Sequence, residues 1–295
     1  MIDLWNPQVQ ELGGAAAVLG TALLLGIVHG VTPDEHTWPI TFSYAVGSYS
    51  TRGGMRAGLL FSLAFALQRA IASELAYFAL VRLLAWDRWE YFVYVVVGLT
   101  MAGSGFYLLR RGRIPHLFHT HSLDSDSPSQ VQPEESSRFV RFMPLIHGFI
   151  AGWGTGAFAL IVYGTLAPAM GSPWLAFLPG LFFGLGTMIV QIAFGGFIGA
   201  WAARRRFGEQ AMKIFARRVS GETLAFGGIA FVLAGAIGSF DPVLFSWSFA
   251  TGIRVHNVAH LGIGFVLVVA VLVGIAGRAF FGAVRDLERT GSKAS

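Results

Sequence analysis

Cysteine is absent from the 295-residue chain, and charge is scarce: 13% of residues are Asp, Glu, Lys or Arg. Without cysteine there are no disulfides, no thiolate metal ligands and no dithiol relay. A soluble domain carries about 25% charged residues, so the deficit argues against a soluble fold. What replaces charge is apolar: 54% of the chain is hydrophobic and the mean hydropathy is +0.61. The residues therefore predict an all-α polytopic membrane protein. Residues 1–12 carry Asp3 and Glu11 and lack a basic start, so they do not read as a cleavable signal peptide. The net charge of +5 is explained by basic residues at span ends rather than by nucleic acid.

Apolar runs fall at 13–31, 57–85, 91–109, 142–170, 174–203, 222–240 and 258–281. At about 20 residues per crossing, that is about seven transmembrane helices. With the N-terminus outside, seventeen of the twenty-one Lys and Arg residues fall on inner segments. Only Arg82, Arg88 and Arg254 fall outside, and Arg69 lies within a span. This bias is the positive-inside pattern; it predicts a cytoplasmic C-terminus and fits a prokaryotic inner membrane.

Two stretches echo one another. The segment "IVHGVTP" (27–33) matches "LIHGFIAG" (145–152), and "AGLLFSLAFALQ" (57–68) matches "PGLFFGLGTMIVQ" (179–191). A unit of three helices is odd in number, so consecutive copies insert in opposite senses. The expected plan is a 3+3 inverted repeat plus one C-terminal helix, with the site between the copies. The expected divisions are 1–110 for the first repeat and 111–140 for a polar inner loop. The second repeat takes 141–218 and 219–240, and the seventh helix with its basic tail takes 241–295. The first helix of each copy should be broken. Thr32-Pro33 is the first break, because proline lacks an N–H and clashes with the preceding turn. Residues 34–48 then continue the first helix past the break or form a half-helix. Residues 112–137 are rich in Ser, Pro, Asp and Glu and predict disorder.

The polar residues of the apolar runs are the candidate sites. "GIVHGVTPDEHTWP" (26–39) places His29, Asp34, Glu35 and His36 in one such run. An ionisable group there costs about 3 kcal/mol or more, and imidazole with carboxylate is a donor set for divalent transition metals. On a regular helix the two histidines would stand roughly 10 Å apart along the axis, so the break must bring them together. Without a ligand, Asp34 and Glu35 would simply cap the half-helix. His147 is the expected mate of His29 and the fifth expected metal ligand of the same site. Gln68, Arg69, Glu74 and Gln191 are candidates for gating or ion pairing, with Glu74, Asp34 or Glu35 expected to pair with Arg69. His256 and His260 share a helix face at i, i+4 and could chelate a metal, with Asp241 nearby. His116, His119 and His121 form a short tract in the polar loop, with Asp124 and Asp126 close in sequence.

The order His-x-x-x-Pro-Asp-x-His over His29–His36, followed by "SYAVGSYS", resembles the first signature of the nickel/cobalt transporter and NicO families. Those families sit in a wider group with lysine exporters and thiol electron transporters. The resemblance implies that His29, Pro33 and Asp34 occupy signature positions and that the segment binds the transported metal. His36 falls one position late, because Glu35 stands where the family has its second histidine. The His-containing loop is also similar to that of NicO efflux members. The family's second signature, a histidine in helix 2, is replaced by Gln68-Arg69.

Three functions follow as expectations. The first is a transporter of divalent metal ions, with nickel or cobalt as substrate and no permanently bound cofactor. The second is an intramembrane redox protein holding haem between His29 and His147. The third is an organic-solute exporter in which Arg69 receives a carboxylate. Enzymatic function is not expected, since no catalytic motif stands in a credible context. The expected partners are the lipid bilayer and the metal ion, and a homo-oligomer is compatible with the sequence.

Overall fold

The computed structural model describes residues 13–78, 88–111, 134–204, 208–252 and 260–291. The chain starts with α1 (Ala15–Val31), α2 (Trp38–Ser48), α3 (Thr51–Tyr77) and α4 (Trp89–Arg111). After α5 (Glu134–Ala151) comes α6, which runs through Ala157–Ile161, a π turn Val162–Leu166 and Ala167–Ala169. Two long helices follow, α7 (Phe177–Ala203) and α8 (Glu209–Phe240). A small antiparallel hairpin, β1 (Ser248–Ala250) with β2 (His260–Gly262), leads into the last helix. That helix, α9, comprises Ile263–Val269, a π stretch Ala270–Ile275 and Ala276–Gly291.

Among the described residues five helices are long and apolar enough to cross a membrane: those at Thr51–Tyr77, Trp89–Arg110, Pro173–Ala203, Gln210–Phe240 and Ile263–Leu287. The chain is thus an α-helical integral membrane protein. The apolar runs at 13–31 and 142–170 are resolved differently. The first ends in the 17-residue α1, and the second divides into α5 and α6 around residues 152–156. The basic stretch 204–218 supplies the first turns of α8 from Glu209 onward. Likewise the "STRGGMR" segment is the start of α3, where the Ser50 side chain caps the helix by accepting from Gly53 N at 3.0 Å.

The break after α1 falls where proline demands it. Thr32 N still donates to Val28 O at 3.0 Å, and Pro33 has no N–H with which to continue. The half-helix α2 then runs to Tyr49, whose φ of 35° turns the chain sharply into α3. This half-helix is central, packed by α3, α5, α7 and α8.

The helices meet through glycine. An added Cβ at Gly58 would strike the backbone of Gln191, and one at Gly180 would strike that of Arg69. Gly26 lies against Phe183 and Gly148 against Phe61; Gly30 lies against Val190 and Gly152 against Gln68. Each of these contacts recurs with both partners moved by 122 residues (58 to 180, 69 to 191, 26 to 148, 61 to 183). Between α4 and α8, Gly98 on Gly228 recurs as Gly105 on Gly221, a shift of 123 residues (98 to 221, 105 to 228). Small residues permit this backbone approach where no hydrophobic force distinguishes helix from lipid.

The seam makes a stability prediction. Gly58→Ala or Gly180→Ala should destabilise the protein by about 1–3 kcal/mol, the cost of overpacking. Gly103→Ala, where an added Cβ meets nothing within 4 Å, should be neutral or slightly stabilising. Thermal unfolding in detergent checks the contrast.

Candidate metal centre

The break between α1 and α2 builds one wall of a cavity of about 370 Å³. His29 sits in the last turn of α1, and Asp34, Glu35 and His36 occupy the break. Asp34 Oδ1 accepts from His36 N at 3.1 Å, which folds the chain back on itself. Thr32 Oγ1 donates to His29 O, and Trp38 Nε1 donates to Gly30 O, each at 3.1 Å. Carbonyls freed by the end of α1 are thereby satisfied within the protein, as a low-dielectric interior requires. His29 and His36 now line the same cavity.

Donor atoms of Asp34, Glu35 and His36 all lie within 4.8 Å of one another. His29 Nδ1 is 3.9 Å from Asp34 Oδ2, and His36 Nδ1 is 3.6 Å from Glu35 Oε1. Both nitrogens of His29 and Nε2 of His36 are buried without a hydrogen-bond partner in the protein. Imidazoles normally find partners when buried, and leaving one unsatisfied costs about 1–3 kcal/mol. The orphaned nitrogens beside two carboxylates form a donor set of nitrogen and oxygen that suits a borderline divalent metal. The ring of His29 is held from behind by Phe65, stacked at 5.9 Å, and by Phe183 at 5.2 Å and Phe158 at 5.8 Å. These rings fix the imidazole without offering it a hydrogen bond.

Tyr94 and Gly264 complete the surroundings of Glu35. Tyr94 Oη donates to Glu35 Oε1 at 2.8 Å, and its ring stacks on His36 at 4.9 Å. Gly264, at the start of α9, comes so close that a Cβ there would lie 2.9 Å from the Glu35 carboxyl carbon. Glu90 also lines the cavity, one turn before Tyr94 on α4. Glu90 stands one residue before the apolar run at 91–109 and Tyr94 within it, and hydropathy alone singles out neither. Their i, i+4 spacing was the available signal.

Arg69 also lines the cavity, and the carboxylate partner expected for it is not what it binds. Its guanidinium donates to Gly154 O at 2.9 Å and to Tyr163 Oη at 2.8 Å. It also lies 4.7 Å over the ring of Phe65. Among the described residues no carboxylate stands within ion-pair distance of it. The reason is the second break: α5 ends at Ala151 and leaves Gly154 with a carbonyl that needs a donor. Glu74 is half-buried with Oε2 unpartnered, and both amide groups of Gln68 and Gln191 are buried without partners.

The remaining candidates lie apart. His147 is buried but does not line the cavity; its Nδ1 is 3.0 Å from both Tyr44 Oη and Met143 O. The cavity thus does not present His29 and His147 together, as a bis-imidazole haem requires. His260 is exposed on β2, and Asp241 caps the short turn after α8 by accepting from Leu244 N at 3.2 Å. His116, His119, His121 and His256 lie outside the described residues, as do Asp124 and Asp126. No protein-family model, curated protein or solved structure matches this chain.

The bond from Arg69 to the second break has a measurable consequence. Arg69→Met should leave the Gly154 carbonyl without its donor and speed amide hydrogen exchange across residues 152–156 by about tenfold or more. Exchange in the middle of α7 should hardly change.

Proposed function

We propose that this protein is a membrane transporter of divalent transition-metal ions, nickel or cobalt in preference, with His29, Asp34, Glu35 and His36 as the substrate ligands. The observation that carries the reading is the set of partnerless imidazole nitrogens facing two carboxylates in a buried cavity at a helix break. Broken helices at mid-membrane are how transporters expose polar ligands without exposing backbone to lipid. The resemblance of residues 29–36 to the nickel/cobalt signature points the same way.

The proposed plan is seven crossings, with α1–α2 as the first and α5–α6 as the fourth. The N-terminus lies outside and the C-terminus in the cytoplasm of a prokaryotic cell. The two groups of three helices form an inverted repeat, a reading supported by the paired contacts 122 residues apart. In that register Gly26 corresponds to Gly148 and Gly30 to Gly152. The counterpart of His29 is then Ala151, and that of Asp34 is Gly156. This replaces the pairing of His29 with His147 that the shared His-Gly suggested, which is one helical turn out of step. Only the first copy carries the ligands; the second contributes its break and the carbonyl that holds Arg69. Rocking one copy against the other would expose the site to each side in turn.

One specific observation favours a second reading. Arg69 is a fixed cation in the cavity wall, and it could receive the carboxylate of an organic solute, making the protein a solute exporter. Competition separates the two readings: an organic solute would bind without metal, and metal would not displace it.

Cells expressing the wild type should differ from controls in nickel or cobalt content, and His36→Ala should remove the difference. Elemental analysis across nickel, cobalt, zinc, iron and manganese checks this, and no change for any metal would overturn the proposal. In purified protein, His29→Ala should weaken binding of the preferred metal by about tenfold or more. Binding should also weaken as the pH falls below neutrality, because the ligands must shed protons to coordinate.

A further inference from the structure

The ordinary fate of a hydroxyl in these helices is to donate to the carbonyl four residues earlier. Ser43, Ser62, Thr100, Ser104, Thr187 and Thr223 all do so. Thr41 does not, although its own backbone N–H bonds Thr37 O at 3.0 Å and so places that carbonyl within its turn. The hydroxyls of Thr37 and Thr41 are both fully buried and have no partner in the protein. His147 Nε2 is buried and partnerless as well.

These groups share one strip. Positions 37, 41, 44 and 48 follow the 4-3-4 spacing of a single helix face. The strip begins beside His36 at the cavity and runs the length of α2 to Ser48. Tyr44, midway, reaches His147 on α5 through the 3.0 Å contact between Oη and Nδ1. Because α2 is enclosed by α3, α5, α7 and α8, this polar face looks into the protein and not into lipid. Partnerless polar atoms along an enclosed face are costly unless something visits them.

We infer that the polar face of α2, with His147 across from it, is the second half of the cation's path, closed in this conformation. Thr37 Oγ1, Thr41 Oγ1 and His147 Nε2 act as transit ligands for a partly hydrated dication passing between the cavity and the Ser48 end. The inference rests on the reading that the protein moves a divalent cation. It gives His147 a role that the cavity does not.

The natural lack of cysteine makes the test direct. Thr41→Cys and Ser43→Cys would each be the sole thiol in the chain, and Ser43 lies on nearly the opposite face of α2. In proteoliposomes carrying a nickel gradient, a small cationic methanethiosulfonate should modify Thr41→Cys about tenfold or more faster than Ser43→Cys. Nickel or cobalt should slow that reaction. His147→Ala should lower the transport rate by about tenfold while leaving equilibrium metal binding at the cavity unchanged. Unchanged cavity binding in His147→Ala also guards against a folding defect in that variant. Equal reactivity of the two thiols, or full transport by His147→Ala, would overturn the inference. Failure of the wild type to bind or move any metal would instead overturn the functional reading, since thiol access does not depend on it.

Discussion

A helix that stops inside a protein strands its last carbonyls away from water, and this constraint organises the structure. Among the described residues two helices stop beside the buried cavity, α1 near Thr32 and α5 near Ala151. Each stop is answered by side-chain donors. At the first, Trp38 covers Gly30 O and Thr32 covers His29 O. At the second, Arg69 covers Gly154 O and Trp89 Nε1 covers Trp153 O at 2.9 Å. Each such group would otherwise cost several kcal/mol in hydrocarbon, so the donors are as necessary to the fold as the apolar core. The first break can then hold His29, Asp34, Glu35 and His36 around a buried cavity because its own backbone demands are met locally.

Arg69 shows how one requirement serves two ends. A buried guanidinium needs acceptors, and a broken helix supplies them. The same cation faces the cavity that holds Asp34 and Glu35. It ties α3 to the second break, and Arg69 and Gly154 both line the cavity that His29, Asp34, Glu35 and His36 line. The close approach of Gly264 to Glu35 links α9 to the same site. Three separate parts of the chain thus meet around four residues of one short segment.

Much of this was legible in the sequence because the signals were local. Pro33 marked the first break, hydropathy marked the long helices, and the density of His, Asp and Glu in an apolar run marked the cavity wall. What was not legible depends on register and on distant partners. The glycine contacts align Gly26 with Gly148 and Gly30 with Gly152, one turn away from the register that sets His29 against His147, and an apolar helix shifted by four residues presents nearly the same face and pattern. The second break is expected from the repeat, but its place is not marked by a proline, so hydropathy alone merges the two helices into one apolar run from 142 to 170. The partner of Arg69 could not be found among carboxylates because it is a backbone carbonyl, which every residue has and no sequence motif records.

The central claim is that a divalent metal sits between the end of α1 and the break that follows it, held by both imidazoles. X-ray absorption on protein loaded with nickel or cobalt tests this most directly. The account predicts about two imidazole nitrogens together with carboxylate oxygens in the first coordination shell, and loss of one imidazole contribution in His29→Ala. A shell of oxygen alone, or a spectrum unaltered by that substitution, would contradict it.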